Sequence, residues 1–144
     1  MDMHETLRAL LAAVQTGEMD LEAGLDRLRD LSFLELGHTR IDMHRELRNG
    51  FPEVIYAEGK TPGQVAEIFT RLAGRGPVLA TRVSGETAAS VQAACPGARH
   101  NPLGRTLTLG EDDVPLGQGE IGIITAGTSD LPVAEEALTT CRMF

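Results

Sequence analysis

The 144-residue sequence predicts an α/β protein, because helix-spaced leucines, alternating strand and helix segments, and a final strand-turn-helix unit follow one another along it. We divide it into an N-terminal helical hairpin (1–32), a small α/β domain (33–110), a linker (111–119) and the start of a further, parallel-sheet domain (120–144). Since that last unit holds a single strand, we expect the chain to stop before the domain is complete.

Two short amphipathic helices account for the hairpin. The first has apolar residues at the spacing of one buried face, namely Leu7, Leu10, Leu11 and Val14. Gly17 ends this helix, and Asp20 can cap a second one, whose leucines share a face at Leu21, Leu25, Leu28 and Leu31. Helices this short must pack on another surface, which could be each other, the following domain or a second subunit.

Strands and helices alternate through the small domain. Residues 54–56 and 77–81 are typical of short strands, and a capping box at 61–64 opens the helix between them. A second helix is predicted from Ser84 to Cys95, and a third strand over 106–109. Strand, helix, strand, helix, strand is the order of an α/β unit with a parallel sheet.

The final unit comprises a strand, a turn and a helix. The apolar segment 121–124 predicts a strand, and a helix begins at Leu131 with Ala134, Leu138 and Cys141 on one face. The linker before it, 111–119, is acidic and rich in glycine.

Composition and charge exclude several classes of protein. The formal net charge of −8 argues against a nucleic-acid binder, which needs a surplus of basic residues. The apolar stretch near the N-terminus is too short to span a membrane and does not resemble a signal peptide. Cys95 and Cys141 form no CxxC pair, so we interpret both as core or interface thiols of a cytoplasmic protein.

The turn before the last helix is the first candidate site, and its four residues are Gly127, Thr128, Ser129 and Asp130. A helix that follows such a turn favours anions, because its first N–H groups are unpaired and its dipole is positive there. Gly127 would admit a phosphate close to the backbone, and the two hydroxyl groups could donate to it. Asp130 fits a helix cap or an acceptor for a ribose hydroxyl. A capped turn without any ligand explains the same residues.

A charged block upstream is the second candidate site, a substrate clamp formed by Asp42, His44, Arg45, Arg48, Glu53 and Lys60. Arg45 and Arg48 are three residues apart, so on a helical turn they could clamp a diphosphate or a carboxylate. An internal network, in which acidic residues of the block pair with the two arginines, is the alternative.

The spacing of residues in this block does not support a metal site or a P-loop. His38, Asp42 and His44 could be drawn as metal ligands, but no histidine pair at helical i, i+4 spacing supports them, so we predict no metal site. The GKT of residues 59–61 lacks the upstream glycine spacing of a P-loop.

Two stretches together resemble one family. The segment ITAGTSDLPVAEEA (124–137) resembles the opening of the PurE-like, flavodoxin-like domain shared by aminoimidazole ribonucleotide carboxylases and LarB proteins. Its Ser-Asp pair is kept as Ser129-Asp130, whereas Ala126 replaces the first serine of the GSxSD pattern. The segment RIDMHRELRNGFPEVIYAEGKTP (40–62) resembles the D-x-H-R-x-x-R-x-G-x-P-E-V block of LarB proteins, which the purine carboxylases lack. With the similar leucine hairpin, the resemblance covers nearly the whole chain.

The resemblance implies a carboxylase/hydrolase of nickel-pincer nucleotide biosynthesis. LarB proteins convert nicotinic acid adenine dinucleotide and CO2 to pyridinium-3,5-biscarboxylic acid mononucleotide and AMP, using a cysteine that adds to the pyridine ring. That cysteine lies beyond the Ser-Asp turn in the family, so we expect no catalytic residue in this chain and no activity from it alone.

The family also implies a homo-oligomer without a tightly bound cofactor, with CO2 as co-substrate; a Mg²⁺ ion accompanying the diphosphate stays open. Two alternatives remain. One is a non-catalytic nucleotide-binding or oligomerisation module, and the other is a purine-type carboxylase, against which the upstream block argues.

Overall fold

In the computed structural model the chain divides into two units, Met1–Asn49 and Gly50–Phe144. The structure describes residues 3–30, 33–37, 39–42, 53–110 and 117–144. Helices and β-strands are both present in each unit, and the second unit combines them around a sheet with a parallel pair. The α/β class predicted from the sequence is therefore confirmed.

The first unit begins with the predicted helical hairpin, α1 (Met3–Thr16) and α2 (Leu21–Asp30), followed by the antiparallel strands β1 (Phe33–Glu35) and β2 (Arg40–Asp42). Gly17 has a φ of 76°, a left-handed conformation that glycine adopts without strain. The Asp20 Oδ1 accepts a hydrogen bond of 2.8 Å from the Ala23 N–H, as expected of a helix cap.

The two helices of this unit approach each other where Val14, a member of the predicted face of α1, meets Gly24 of α2, which is not one of the predicted leucines. A methyl group added at Gly24 would lie 2.7 Å from the Val14 Cγ2. Leu10 is buried, whereas Leu11, Leu21 and Leu25 are 60%, 64% and 40% exposed. The hairpin therefore leaves Leu11, Leu21 and Leu25 exposed, and the expected burial of the helix faces of α1 and α2 is realised only in part.

The second unit is built on a four-stranded sheet of β3 (Val54–Tyr56), β4 (Val78–Thr81), β5 (Arg99–Asn101) and β6 (Thr106–Leu109), in the order β3-β4-β6-β5. Strands β3 and β4 are parallel, as predicted. The expectation that the third predicted strand extends a parallel sheet is wrong, because β6 runs antiparallel to β4.

The cause of this difference is the edge strand β5, which the sequence pattern does not indicate. Arg99-His100-Asn101 has no apolar alternation that would indicate a strand. It forms a hairpin with β6, with His100 opposite Leu107. The chain therefore reverses direction before β6 enters the sheet between β4 and β5.

Two helices connect these strands, α3 (Pro62–Ala73) and α4 (Gly85–Ala94). Helix α3 starts as predicted: the Thr61 Oγ1 accepts from the Gln64 N–H at 3.3 Å, and the Gln64 Oε1 accepts from the Thr61 N–H at 3.0 Å. Ser84 caps α4 in the same way, by accepting from the Thr87 N–H at 3.1 Å. Cys95 follows α4, half-buried beside Thr70 of α3.

The register of the sheet separates an apolar face from a polar face, because successive side chains of a strand point to opposite sides. The row Ile55, Ala80 and Leu107 is buried with the core residues of α3 and α4, including Phe69. The opposite side, here called the polar face, carries Tyr56, Thr81, Asn101, Thr106 and Thr108, with Leu79 as a buried apolar member.

Helix α5 (Leu131–Met143) covers the polar face and buries Thr139 and Met143. The predicted buried face of this helix is wrong in part, since Ala134 and Leu138 are only half-buried and Cys141 is exposed. A polar surface selects the polar stripe of the helix, because buried polar groups need partners. Cys141 is therefore not a core thiol in this chain.

The strand predicted at 121–124 is not formed. Ile121, Ile123 and Ile124 are 74%, 37% and 95% exposed, and no strand in the described part of the chain pairs with them. A single extended segment gains no stability without a ladder of hydrogen bonds to a neighbour.

We predict that Leu107→Ala lowers the free energy of unfolding of this unit by about 2–5 kcal/mol, because the fully buried leucine leaves a cavity between the sheet and α3 and α4. Urea denaturation followed by circular dichroism measures the change. Leu103→Ala is the matched control: Leu103 is 48% exposed in the same hairpin, so its loss should stay within about 0.5 kcal/mol. Equal losses for the two variants would contradict the assigned core.

Candidate functional site

The predicted nucleotide turn forms a short 3-10 helix, Thr128–Asp130, that runs directly into α5. All residues from 121 to 130 are exposed. Gly127 has an extended backbone that any residue adopts (φ −148°), and a methyl group there would come no nearer than 3.8 Å to the Ser129 Oγ. The turn is therefore open to solvent, and Gly127 leaves space beside it without being required by the backbone.

The donors and acceptors of the turn are only partly used. The Asp130 N–H donates to the Gly127 oxygen at 3.1 Å and the Leu131 N–H to the Thr128 oxygen, and Pro132 has no N–H. Asp130 occupies the cap position, but its carboxylate makes no capping hydrogen bond. Its backbone is helical (φ −89°, ψ −13°) rather than extended as in most N-caps, so the capping interpretation is wrong and the carboxylate stays exposed.

The charged block is described only in part. His44, Arg45 and Arg48 lie outside the described residues, as does His38. Asp42 ends β2 in the first unit, where it lies opposite Phe33, and Glu53 is half-buried at the start of the second unit. The substrate clamp therefore stays a prediction.

Lys60 is the clamp residue whose contact is defined. Its Nζ donates to the backbone oxygen of Tyr56 at 2.9 Å, and its N–H donates to the Ala57 oxygen at 3.1 Å across a turn with Gly59 at a φ of 80°. These bonds tie Lys60 to the end of β3, which gives it a structural role there.

A group of polar and charged residues lies at the carboxyl ends of β3 and β4. The sequence patterns do not bring these residues together. We call this group the carboxyl-end cluster: Tyr56, Glu58, Lys60, Arg82 and Glu136. The Tyr56 hydroxyl donates to the Glu58 Oε2, and the Arg82 Nε lies 3.1 Å from the Glu136 Oε2 of α5. The side chains of Arg82 and Glu136 are 37% and 22% exposed. The Arg82–Glu136 pair thus joins the end of β4 to the last helix, whereas Tyr56, Glu58 and Lys60 contact one another at the end of β3.

Arg82 has an unusual backbone. The φ angle of Arg82 is 57°, and that of Arg105 is 51°. Both lie in the left-handed region, which residues other than glycine rarely adopt. The Val83 N–H donates to the Arg105 oxygen at 2.8 Å, which joins the residue after Arg82 to Arg105. Conformations of this kind persist where the surrounding structure enforces them, and they concentrate at functional positions.

The sequence contains a signal for this cluster. Tyr56 ends one predicted strand and Arg82 directly follows the next. Ligand-binding residues of parallel α/β sheets gather at the carboxyl ends of strands. Glu136 carries no such signal, because its pairing depends on how α5 lies on the sheet.

A small groove lies beside α5, with a volume of about 260 Å³ and walls formed by Ile121, Ile123, Ala134, Glu135 and Leu138. Small-molecule sites usually measure about 300–1,000 Å³, so this groove does not by itself match a dinucleotide.

The described part of the chain contains no group of three or more His, Cys, Asp or Glu side chains placed to hold a metal ion. None of its described helices combines the length and the hydropathy needed to cross a bilayer.

Comparison with known proteins identifies a family and a relative. Residues 33–111 match the family model of the LarB/PurE-like N-terminal domain. An uncharacterised protein of Methanocaldococcus jannaschii is 31% identical over 151 aligned residues, an alignment that covers 99% of this chain. The chain spans 59% of the length of that relative.

The contacts of Tyr56 predict an altered titration. The hydrogen bond to Glu58, then partial desolvation and the Glu58 charge, raise the pKa of Tyr56 above its ordinary value, and the nearby Arg82 charge opposes them. Because Tyr56 is the single tyrosine of a chain without tryptophan, absorbance at 295 nm against pH reports it alone. We expect Glu58→Gln to move the midpoint down towards the ordinary value of about 10.

The raised pKa of Tyr56 also determines how the stability of the folded chain changes with pH. A tyrosine whose pKa is raised by folding contributes stability that is fully present below about pH 10 and is lost as the pH rises through the folded-state pKa.

Glu67→Gln, on the exposed side of α3, is the control for the titration of Glu58→Gln. A midpoint that is the same in the wild-type and Glu58→Gln proteins would contradict the assigned hydrogen bond.

Proposed function

Because the chain belongs to the LarB/PurE-like family, we propose that it is the N-terminal part of a carboxylase/hydrolase of nickel-pincer nucleotide synthesis. The reaction takes nicotinic acid adenine dinucleotide, CO2 and water to pyridinium-3,5-biscarboxylic acid mononucleotide and AMP. The observation that carries the proposal is the exposed Ser-Asp turn at the start of a 13-residue helix, in a chain whose residues 33–111 match this family.

The turn offers groups that suit a dinucleotide. The hydroxyls of Thr128 and Ser129 are exposed and can donate to a diphosphate, to which the positive end of the α5 dipole adds attraction. The Asp130 carboxylate makes no capping bond, so it can accept from a ribose hydroxyl. Its charge disfavours direct contact with phosphate, which assigns the diphosphate to the hydroxyl side of the turn.

The chemical step requires residues beyond this chain. Cys141 is exposed, but it lies eleven residues after Asp130, which is roughly 16 Å along a helix axis. This separation disfavours Cys141 as the ring-adding thiol of a ligand whose diphosphate is held at the turn. In this proposal the chain supplies part of the nucleotide site, while the nucleophile and the remaining walls come from the rest of the protein. The two free thiols fit a reducing, cytoplasmic location.

A second candidate function is an assembly module. The exposed leucines of α1 and α2 (Leu11, Leu21 and Leu25) supply apolar surface of the kind that favours association between copies. This role is compatible with the first, since a homo-oligomer is also what the family implies.

A calorimetric titration with nicotinic acid adenine dinucleotide tests the first function. We expect the 144-residue chain to bind and the Ser129→Ala, Asp130→Ala double variant to lose at least about tenfold in affinity, because each lost hydrogen bond to a charged group is worth about 1.5–3 kcal/mol. The control, Glu67→Ala with Thr70→Ala, removes the same two kinds of group from an exposed part of α3 and should bind like the wild type. No binding by the folded wild-type chain would contradict a nucleotide site in it.

Sedimentation equilibrium tests the assembly function. Leu21→Glu with Leu25→Glu should weaken self-association, because each places a charge in an apolar contact. Glu22→Gln, on the same helix, serves as the control. Identical association of the wild-type and double-variant proteins would exclude Leu21 and Leu25 from the interface.

A further inference from the structure

We propose that the polar face of the sheet is the surface that positions the Ser-Asp turn, and that Arg82 is the positioning residue, acting through Glu136 of α5. The turn runs directly into α5, and residues 121–130 are exposed. Whatever holds the helix therefore sets the orientation of the turn. The inference rests on the proposed function only for the identity of the ligand.

Side-chain contacts in the described part of the chain attach α5 to the sheet. The Asn101 Nδ2 donates to the Glu135 Oε2 at 3.0 Å, and the Arg82 Nε lies 3.1 Å from the Glu136 Oε2. One turn further along, the Thr106 Oγ1 donates to the Thr139 Oγ1 at 3.5 Å in a buried contact. These contacts come from three different strands or strand ends, so they fix both the position of α5 along the sheet and its rotation about its axis.

The polarity of these contacts distinguishes them from ordinary core packing. Apolar side chains tolerate small sliding movements, whereas hydrogen bonds depend on distance and angle. A helix held by an amide–carboxylate bond, a guanidinium–carboxylate pair and a hydroxyl pair therefore has one preferred register. Such a contact suits positioning better than it suits raw stability, because partly exposed ion pairs contribute little to the latter.

Gly104 brings the β5–β6 hairpin close to the helix backbone. A methyl group there would lie 3.1 Å from three atoms of Glu135 and Glu136, two of which are backbone atoms. The absence of a side chain at this buried position thus allows α5 to come near enough for the Asn101 and Arg82 contacts. This close approach is independent of the charges and points to the same two glutamates.

The left-handed backbone of Arg82 supplies the last argument. Its φ of 57° is costly for an arginine, and the residue directly follows β4, whose last residue lies on the polar face. Glycine or asparagine would adopt this left-handed conformation at a lower free-energy cost. The side chain that the position does carry is the one that pairs with α5.

Hydrogen–deuterium exchange on the ligand-free chain tests the inference. Arg82→Asn removes the guanidinium but keeps a residue that tolerates the left-handed backbone, and Gly104→Ala pushes on the helix. We expect each to raise exchange of the α5 amides about two- to fivefold, on the scale of one partly exposed ion pair, with α3 unchanged. Gly63→Ala, where a methyl group meets nothing within 4 Å, should leave α5 exchange at the wild-type rate.

A charge exchange separates positioning from simple loss of stability. Arg82→Glu alone should loosen α5, and Arg82→Glu combined with Glu136→Arg should restore most of its protection. The inference would be overturned if the α5 amides of Arg82→Asn exchanged at the wild-type rate. It would also be overturned if they exchanged as fast in the combined variant as in Arg82→Glu alone.

Nucleotide binding is measured on the same variants. If the wild type binds nicotinic acid adenine dinucleotide, Arg82→Asn should weaken it and the charge exchange should recover it; unchanged affinity of Arg82→Asn would overturn the positioning role. If the wild type does not bind, the proposed function fails, and exchange in α5 and in the Asp130 and Leu131 amides still decides the inference.

Discussion

The pairing of β4 with β6 is the constraint on which the second unit depends. Because Ala80 lies opposite Leu107, every neighbouring row of side chains is assigned to one face or the other. One face becomes the apolar core beneath α3 and α4. The other receives threonines, Asn101 and the end of β3, and it becomes the surface on which α5 lies.

The polar face explains several features together. It selects the glutamate and threonine stripe of α5, so that Cys141 and Leu131 of the same helix remain exposed. It places Glu136 beside Arg82 and thereby brings a helix near the carboxyl ends of β3 and β4. It also holds α5 so that the helix N-terminus faces solvent, where Asp130 occupies the cap position without a side-chain capping hydrogen bond.

Local signals in the sequence predicted most of the elements. The helices α1, α2, α3 and α4 were predicted from apolar spacing and capping residues, and the Thr61–Gln64 box has the expected reciprocal bonds. Strand β5 was missed because its pairing with β6 is decided by the hairpin and not by the pattern of its own three residues. The segment 121–124 shows the reverse case: its pattern favours a strand, but a strand requires a partner.

The candidate site was predictable to a smaller extent. The Ser-Asp turn is contiguous in sequence, so its residues could be named in advance, although the role of Asp130 as a cap was wrong. Arg82 and Glu136 are 54 positions apart (136 − 82), and no spacing rule connects them. Their meeting follows from the direction of β6 and from the polarity of the surface it creates, which only the folded chain reveals.

The positioning of the Ser-Asp turn depends on one claim above the others, that α5 lies on the polar face in solution. The most direct measurement is the nuclear Overhauser effect between the γ-methyl groups of Thr106 and Thr139 in the ligand-free chain. The structure predicts a cross-peak between them, together with contacts from Gly104 to Glu135. Absence of both, with α5 showing helical chemical shifts, would mean that the helix rests elsewhere and that the sheet does not position the turn.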